Sequence, residues 1–145
     1  MNHFECYNNR NRGIGWCDMN TYFEPINLNV WDMFSKVKSN EHIETFIATK
    51  EMNVEDFLLL YVESQKSEIS SCVYAIARIT TKVFIMKDSP DDYCNNRRTV
   101  RAHIYKISFN KPIIDNSICK QIFNQFRSVH RIRDLSKIEV VKPLL

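Results

Sequence analysis

The sequence predicts an α+β domain whose mixed or antiparallel sheet of about five to six strands curls into a barrel, with two or more flanking helices. Three observations support this fold class. The chain has 145 residues, of which 44% are hydrophobic and 12% aromatic, enough to form a core of its own. Runs with the composition of strands outnumber runs with helical spacing. Short polar segments separate most of these runs.

The first 19 residues are predicted to form an arm outside the domain. They contain both glycines of the chain, Gly13 and Gly15, and a polar stretch over residues 8–12. Apolar periodicity begins only after them. We therefore expect residues 1–19 to be an N-terminal arm and residues 20–145 to be the folded domain.

Six runs have the composition of strands. Phe57–Val62 is almost entirely apolar, as expected of a strand buried on both faces, and Cys72–Thr81 is rich in β-branched and small residues. The polar segment Glu63–Ser71 between them is predicted to be the loop of a hairpin. In chain order the predicted strands are Thr21–Ile26, Glu44–Thr49, Phe57–Val62, Cys72–Thr81 with an extension at Val83–Met86, Val100–Phe109 and Lys137–Val141.

Two helices are predicted, each from an N-cap residue followed by an apolar stripe. The first is capped by Asn29 and runs from Val30 to about Lys38. Its stripe consists of Trp31, Phe34 and Val37. The second is capped by Asp115. Its stripe consists of Ile118, Cys119, Ile122, Phe123 and Phe126.

Positive charge is concentrated in the C-terminal third of the chain. Residues 97–145 contain 11 Lys and Arg against 3 Asp and Glu, a net charge of +8. Residues 1–96 contain 9 against 14, a net charge of −5. Clustered cations attract the phosphates of nucleic acids. The pattern is also typical of a solvated basic face that balances an acidic half.

The motifs of common enzyme and metal sites are missing from the sequence. No glycine follows position 15, so a glycine-rich phosphate loop and a G-x-S-x-G nucleophile motif are excluded beyond it. The five cysteines form no C-x-x-C pair, and we expect neither a structural metal nor a cofactor. The adjacent acids Glu55 and Asp56 are expected to lie in a solvated turn rather than at a catalytic centre.

The lengths of the apolar runs and the pattern of the cysteines predict where in the cell the protein is located. No apolar run approaches the roughly 18 residues that a membrane span requires. The first six residues do not have the pattern of a secretion signal, and an odd number of scattered cysteines is typical of reduced thiols. We therefore expect an intracellular protein without a membrane partner.

Three segments in this order carry a resemblance to a known family. They are N-T-Y-F-E-P-I-N-L-N-V-W-D-M-F-S-K-V-K-S-N from Asn20, E-T-F-I-A-T-K from Glu44, and N-V-E-D-F-L-L-L-Y-V from Asn53. This succession resembles the EVE domain and, more distantly, the YTH domain, both of the PUA-like superfamily. The resemblance covers residues 20–145. It departs from the family at two glycine positions, where Ile43-Glu44 and Glu55 stand instead.

The resemblance implies a non-enzymatic module that binds RNA or DNA and holds a modified, in particular methylated, base in an aromatic pocket. Phe46 would be one wall of this pocket and Tyr93 the second. Trp31 would belong to the same pocket. Asn27 and Asn29 would bind the edge of the base.

The resemblance also implies a basic surface beside the pocket. Arg131 and Arg133, in the segment V-H-R-I-R-D from Val129, would contact the phosphates. Arg97 and Arg98 would add to this contact. The expected partner is nucleic acid, with a separate effector protein as a further candidate.

Each of these residues has an ordinary structural interpretation as well. Phe46 and Trp31 stand in apolar segments typical of a core, Asn29 suffices as a helix cap, and the arginines are compatible with a solvated surface. Two other functional classes stay open. One is a protein-interaction or scaffold module that keeps the barrel without a working base pocket, and the less supported one is a small nuclease or base-processing enzyme.

Overall fold

A computed structural model describes residues 19–38, 42–64, 69–87 and 94–145. The predicted arm, apart from Met19, and Tyr93 lie outside the described residues. Within them, seven strands form one sheet, and three short α-helices and a 3₁₀ turn accompany it. The strands are β1 Thr21–Asn27, β2 His42–Ile47, β3 Phe57–Glu63, β4 Cys72–Ile79, β5 Phe84–Ile85, β6 Arg98–Ile107 and β7 His130–Arg131. The helices are α1 Met33–Lys36, α2 Asn116–Ile122 and α3 Leu135–Val141, followed by the 3₁₀ turn Lys142–Leu144.

The sheet is mixed, as predicted, but open. Its strand order is β2-β6-β4-β3-β1-β7, and β5 pairs with the first two residues of β6. β1 and β3 are parallel, and every other pair is antiparallel. In the described part of the chain no pairing joins β2 to β7, so the predicted barrel does not close. Closure needs a continuous ladder of hydrogen bonds, and β7 offers only two residues, which pair with Tyr22 and Phe23.

Both faces of the sheet are covered, and β3 shows this best. Leu58, Leu60 and Val62 point into one apolar cluster, which also contains Met33 of α1. Phe57, Leu59 and Tyr61 point into the other cluster, which contains residues of α2 and α3. The prediction that this strand is buried on both faces is confirmed. Burial of each such leucine contributes about 1.5–3 kcal/mol to stability.

The first predicted helix is shorter than expected and begins later. It was expected over Val30–Lys38 with Asn29 as its cap, but α1 spans Met33–Lys36 and follows Asp32. The reason is a tight turn after β1. The side-chain oxygen of Asn27 accepts a hydrogen bond from the Asn29 N–H at 2.9 Å. The backbone carbonyl of Asn27 accepts hydrogen bonds from the N–H groups of Val30 and Trp31.

The last predicted strand is wrong: α3 occupies Leu135–Val141. Asp134 caps it, because its carboxylate accepts from the backbone N–H of Ser136 at 2.9 Å and from the Ser136 hydroxyl at 2.7 Å. These hydrogen bonds lower the pKa of Asp134. Ile138 and Val141, three residues apart, then pack on the second apolar cluster.

The predicted hairpin is confirmed, and the second predicted helix is confirmed as far as Ile122. Phe123 and Phe126, which were expected to continue its apolar stripe, lie beyond the end of the helix. β3 and β4 pair antiparallel across the polar connection. Asp115 caps α2, and its Oδ1 accepts the N–H of Ile118 at 2.9 Å. In both regions the local sequence signal agrees with the packing around it.

One of the two acids in the turn before β3 is buried rather than solvated, which corrects the expectation for Asp56. Asp56 is only 3% exposed and accepts backbone N–H groups from Asn20 at 3.0 Å and Asn53 at 2.9 Å. Burial raises the pKa of Asp56, and these two hydrogen bonds oppose the rise. Glu55 has a φ of 79°, the left-handed conformation that glycine adopts without strain.

Candidate functional site

A cleft of about 790 Å³ opens at one edge of the sheet. β1 and β3 are parallel, so their carboxyl ends meet there, with Asn27 opposite Glu63. The end of β2 joins the same edge, because the Ala48 N–H donates to the Arg98 carbonyl at 2.9 Å. The walls come from residues 24–29, 47–49, 63–64, 97 and 126–129.

Glu24 is the most unusual residue of this cleft. Its side chain is 0% exposed, and neither carboxyl oxygen has a hydrogen-bond partner among the described residues. The hydroxyl of Thr49, another lining residue, is also buried without a partner in that part of the chain. Burial raises the pKa of Glu24 well above its ordinary value, and the charge of Arg97 opposes this only in part. Unpaired buried polar groups are unfavourable for folding and are expected where a ligand binds.

The rim of the cleft is polar and basic. Asn27, Asn29, Arg97 and Arg127 line it, and all four are exposed. Arg97 precedes β6, and the hydroxyl of Thr99 holds its backbone by donating to its carbonyl at 2.9 Å. These groups offer hydrogen-bond donors and positive charge to a ligand that enters the cleft.

One aromatic ring borders the cleft from the loop between α2 and β7. Phe126 is partly exposed and packs at its inner side on Phe23 and Tyr61, with ring centroids 5.9 and 5.1 Å away. The loop is shaped by Gln125, whose side-chain oxygen accepts the N–H groups of Arg127 at 2.6 Å and Ser128 at 2.9 Å. Phe126 is thus held in place by the core while it lines the cleft.

A smaller cavity of about 350 Å³, the side cavity, adjoins the cleft and shares Thr49 with it. Arg131 and Arg133 line the side cavity together with Glu51. Arg133 contacts the Glu51 carboxylate at 3.1 Å, and Arg131 lies 3.9 Å from it. One carboxylate thus faces two guanidinium groups, which leaves net positive charge beside the cleft.

The predicted site residues divide into groups. Asn27, Asn29 and Arg97 line the cleft, and Arg131 and Arg133 line the side cavity. Phe46 is 0% exposed and Trp31 only 6%, and their rings meet edge to face at 5.9 Å in the core. Neither ring therefore has an open face for a base in this structure. Arg98 is exposed but lines neither cavity.

Solved structures of other proteins share this architecture. A hypothetical protein from Leishmania major has a TM-score of 0.59 and 11% identity over 88% of this chain and 95% of its own. A protein from Pseudomonas syringae has a TM-score of 0.58 and 12% identity over 86% of this chain and 99% of its own. The chain has the fold of these proteins.

A more distant neighbour is ASCH from Zymomonas mobilis, with a TM-score of 0.47 and 12% identity over 84% of this chain and 94% of its own. No family model matches the chain, and no curated protein matches it in sequence.

Sequence reasoning missed Glu24, Thr49, Phe126 and Arg127. Only Glu24 has a clear local signal, since it is the single charged residue of β1 and stands between the apolar residues Phe23 and Pro25. The other three reach the cleft through contacts between distant segments. Within the described ranges, no group of three or more His, Cys, Asp or Glu side chains is placed to hold a metal ion. None of the described helices has the length and apolarity that a bilayer crossing requires.

Proposed function

We propose that this chain is a PUA-like, non-enzymatic module that binds nucleic acid, with one base in the cleft and the flanking phosphates on the basic rim and the side cavity. The observation that carries the proposal is the combination in one cleft of buried polar groups without partners among the described residues, an aromatic ring and exposed arginines. A volume of about 790 Å³ lies within the range of small-molecule sites, roughly 300–1,000 Å³.

Phe126 is the residue on which we expect the base to stack. Its position on the aromatic cluster of Phe23 and Tyr61 leaves little side-chain freedom to lose on binding. Stacking on an aromatic side chain contributes about 1–3 kcal/mol per base. Phe126 takes the role that the resemblance assigned to Phe46, which is fully buried.

The phosphates would contact Arg97 and Arg127 at the rim and Arg131 and Arg133 in the side cavity. The ion pair of Arg133 with Glu51 is partly exposed, with the arginine side chain 63% accessible. Such pairs are worth only about 0–1 kcal/mol, so a phosphate can compete with Glu51 for these arginines. The net charge of +8 over residues 97–145 favours the same class of ligand.

Recognition of a modified base is the more specific part of the proposal. It is supported by the resemblance of residues 20–145 to EVE and YTH domains. It is also supported by a cleft whose lining offers the amide groups of Asn27 and Asn29 to the edge of a base. An unpaired or splayed-out base is the form that such a cleft admits, as single-stranded nucleic acids present it.

The proposal is tested by fluorescence anisotropy with matched single- and double-stranded DNA and RNA, with and without N6-methyladenine or 5-methylcytosine. We expect one modified oligonucleotide to bind most tightly. The Arg127→Ala variant should weaken this binding about tenfold, a loss of about 1.4 kcal/mol. Lys120→Ala is the matched control, because Lys120 is an exposed cation of α2 that lines neither cavity.

Two results would contradict the proposal. Equal losses for Arg127→Ala and Lys120→Ala would reduce the interaction to unspecific charge. An absence of binding to every oligonucleotide would exclude nucleic acid as the ligand of the cleft and favour a protein-interaction module.

A further inference from the structure

The buried carboxyl group of Glu24 is a feature of the cleft that a solvated rim does not require. It lies on β1 with its side chain fully buried, it lines the cleft, and both of its oxygens lack hydrogen-bond partners among the described residues. Because these oxygens have almost no accessible surface, a ligand group in the cleft can pair with them only if the Glu24 side chain or its neighbours move on binding.

The charge state of Glu24 depends on the groups that face it. Arg97 acts on it electrostatically from the start of β6 and favours the ionised form. Glu63 at the end of β3 and Arg127 of the loop are the other charged residues of the cleft, and both are exposed. Loss of hydration at the buried group outweighs the effect of Arg97, so the pKa of Glu24 is raised and the uncharged form is favoured.

The two forms of a carboxyl group recognise different base edges. The ionised form only accepts hydrogen bonds and fits two adjacent N–H donors, such as N1 and N2 of guanine. The uncharged form donates through one oxygen and accepts through the other. It fits an edge where a donor adjoins an acceptor, as in the amino group and ring nitrogen of adenine or cytosine.

We propose that Glu24 binds the base edge as an uncharged carboxylic acid and thereby selects a base with a donor beside an acceptor over an edge with two adjacent donors. This inference rests on the proposed function. A base that carries one methyl group on its amino nitrogen keeps one N–H and still fits this arrangement. A dimethylated amino group has no N–H left and does not.

The experiment compares the full chain with its Glu24→Gln and Glu24→Leu variants in anisotropy titrations against oligonucleotides that contain N6-methyladenine, N6,N6-dimethyladenine or guanine at one position. The glutamine amide has one donor and one acceptor side, as the uncharged acid does, so Glu24→Gln should bind within about threefold of the unmodified chain. Glu24→Leu should bind at least about tenfold more weakly. A thermal melt of each variant verifies that it is folded.

The pH dependence gives a second, independent readout. Affinity of the unmodified chain should fall as pH rises through the pKa of Glu24, because the ionised form loses its donor. The Glu24→Gln variant should lack this component. All other titratable groups are shared by the two proteins, so the difference between the two pH profiles isolates Glu24.

The outcomes separate this inference from the function on which it rests. Loss of binding in Glu24→Gln as large as in Glu24→Leu, or preference for guanine, would overturn the inference by assigning an ionised Glu24. Unchanged binding in Glu24→Leu would remove Glu24 from the site while the proposed function stands. If the unmodified chain binds no oligonucleotide, both are overturned.

Discussion

Glu24 and Asp56 show how the same functional group behaves in two buried settings. Asp56 accepts two backbone N–H groups and thereby closes the turn before β3. Glu24 has no such donors among the described residues. Burial raises the pKa of both carboxyl groups, but hydrogen bonds oppose the rise only at Asp56. The hydrogen bonds of Asp56 therefore explain why this acid is buried. No hydrogen bond in the described part of the chain explains the burial of Glu24.

A stability measurement tests the burial of Glu24 without any ligand. The folded-state pKa lies above the unfolded one, so the protonated group contributes stability that is fully present below the unfolded pKa. This stability is lost as pH rises through the folded pKa, by about 1.4 kcal/mol for each unit between the two values. In urea titrations across this range, the free energy of unfolding should decrease for the unmodified chain. It should decrease less for Glu24→Gln, and parallel curves would contradict the prediction.

Phe46 shows why residue type alone did not identify the aromatic side of the site. An aromatic residue in an apolar strand is compatible with a core position and with a base-stacking position. The structure places Phe46 against Trp31 in the core and Phe126 at the cleft. The Phe46→Ala substitution is consequently unsuitable as a probe of binding, because truncation of a buried phenylalanine costs about 3–5 kcal/mol of stability.

At the scale of the elements, helix caps and turns determined which of the predicted helices and strands were correct. Asp115 and the following apolar stripe correctly predicted α2. Asp134 has the same capping role before α3, but the β-branched run after it suggested a strand. Asparagine is common at N-caps, so Asn29 was expected to cap the first helix. The turn that Asn27 forms occupies this position instead, and α1 begins at Met33.

The turn at Glu55 provides a prediction at this scale. Its φ of 79° is unfavourable for a residue with a Cβ atom by roughly 1–2 kcal/mol. Glu55→Gly and Glu55→Ala both remove the ion pair with Arg78, in which the charged atoms are 2.9 Å apart. They differ in the backbone conformations they allow. The glycine variant should be more stable than the alanine variant by about 1 kcal/mol in chemical unfolding.

Two outcomes of this comparison would be informative. Equal stability, or a more stable alanine variant, would show that residue 55 does not adopt a positive φ in solution. The expected order would show that the backbone keeps a conformation that glycine adopts without strain, although residue 55 is a glutamate.

At the scale of the whole molecule, the site depends on which strands are neighbours. β1 and β3 are parallel and adjacent, so Asn27 and Glu63 lie side by side although they are far apart in sequence. The loop between α2 and β7 then closes the cleft from the other side with Phe126 and Arg127. The basic residues of the C-terminal third meet the polar end of β1 only through this arrangement.

The distribution of charge predicts how binding depends on salt. If Arg133 contacts a phosphate, its replacement by alanine should weaken binding similarly for all sequences and reduce the slope of log K against log salt by about 1. Lys120→Ala removes the same charge from a position outside both cavities and should leave the slope nearly unchanged. Anisotropy titrations at a series of salt concentrations measure both slopes. A slope that changes equally in the two variants would contradict a specific phosphate contact at Arg133.

The sequence by itself determined the features that depend on near neighbours in the chain. An unbroken apolar run identified β3 as a strand buried on both faces, Asp115 identified the start of α2, and the distribution of charged residues located the basic third. Among the site residues it identified Asn27, Asn29 and Arg97 through a family resemblance rather than through local pattern.

Only the tertiary structure decided that Phe46 is a core residue. It also decided that, within the part of the chain it describes, the sheet stays open and Glu24 lies in a cleft without a hydrogen-bond partner. These features depend on strand pairing and burial between segments that are distant in the chain. Secondary-structure propensity and capping depend on residues that are close in sequence. Burial and the pairing of buried polar groups depend on the packing of the whole domain. The burial of Glu24 therefore depends on the packing of β1 against segments that are distant in the chain, and the residues next to Glu24 in sequence do not determine it.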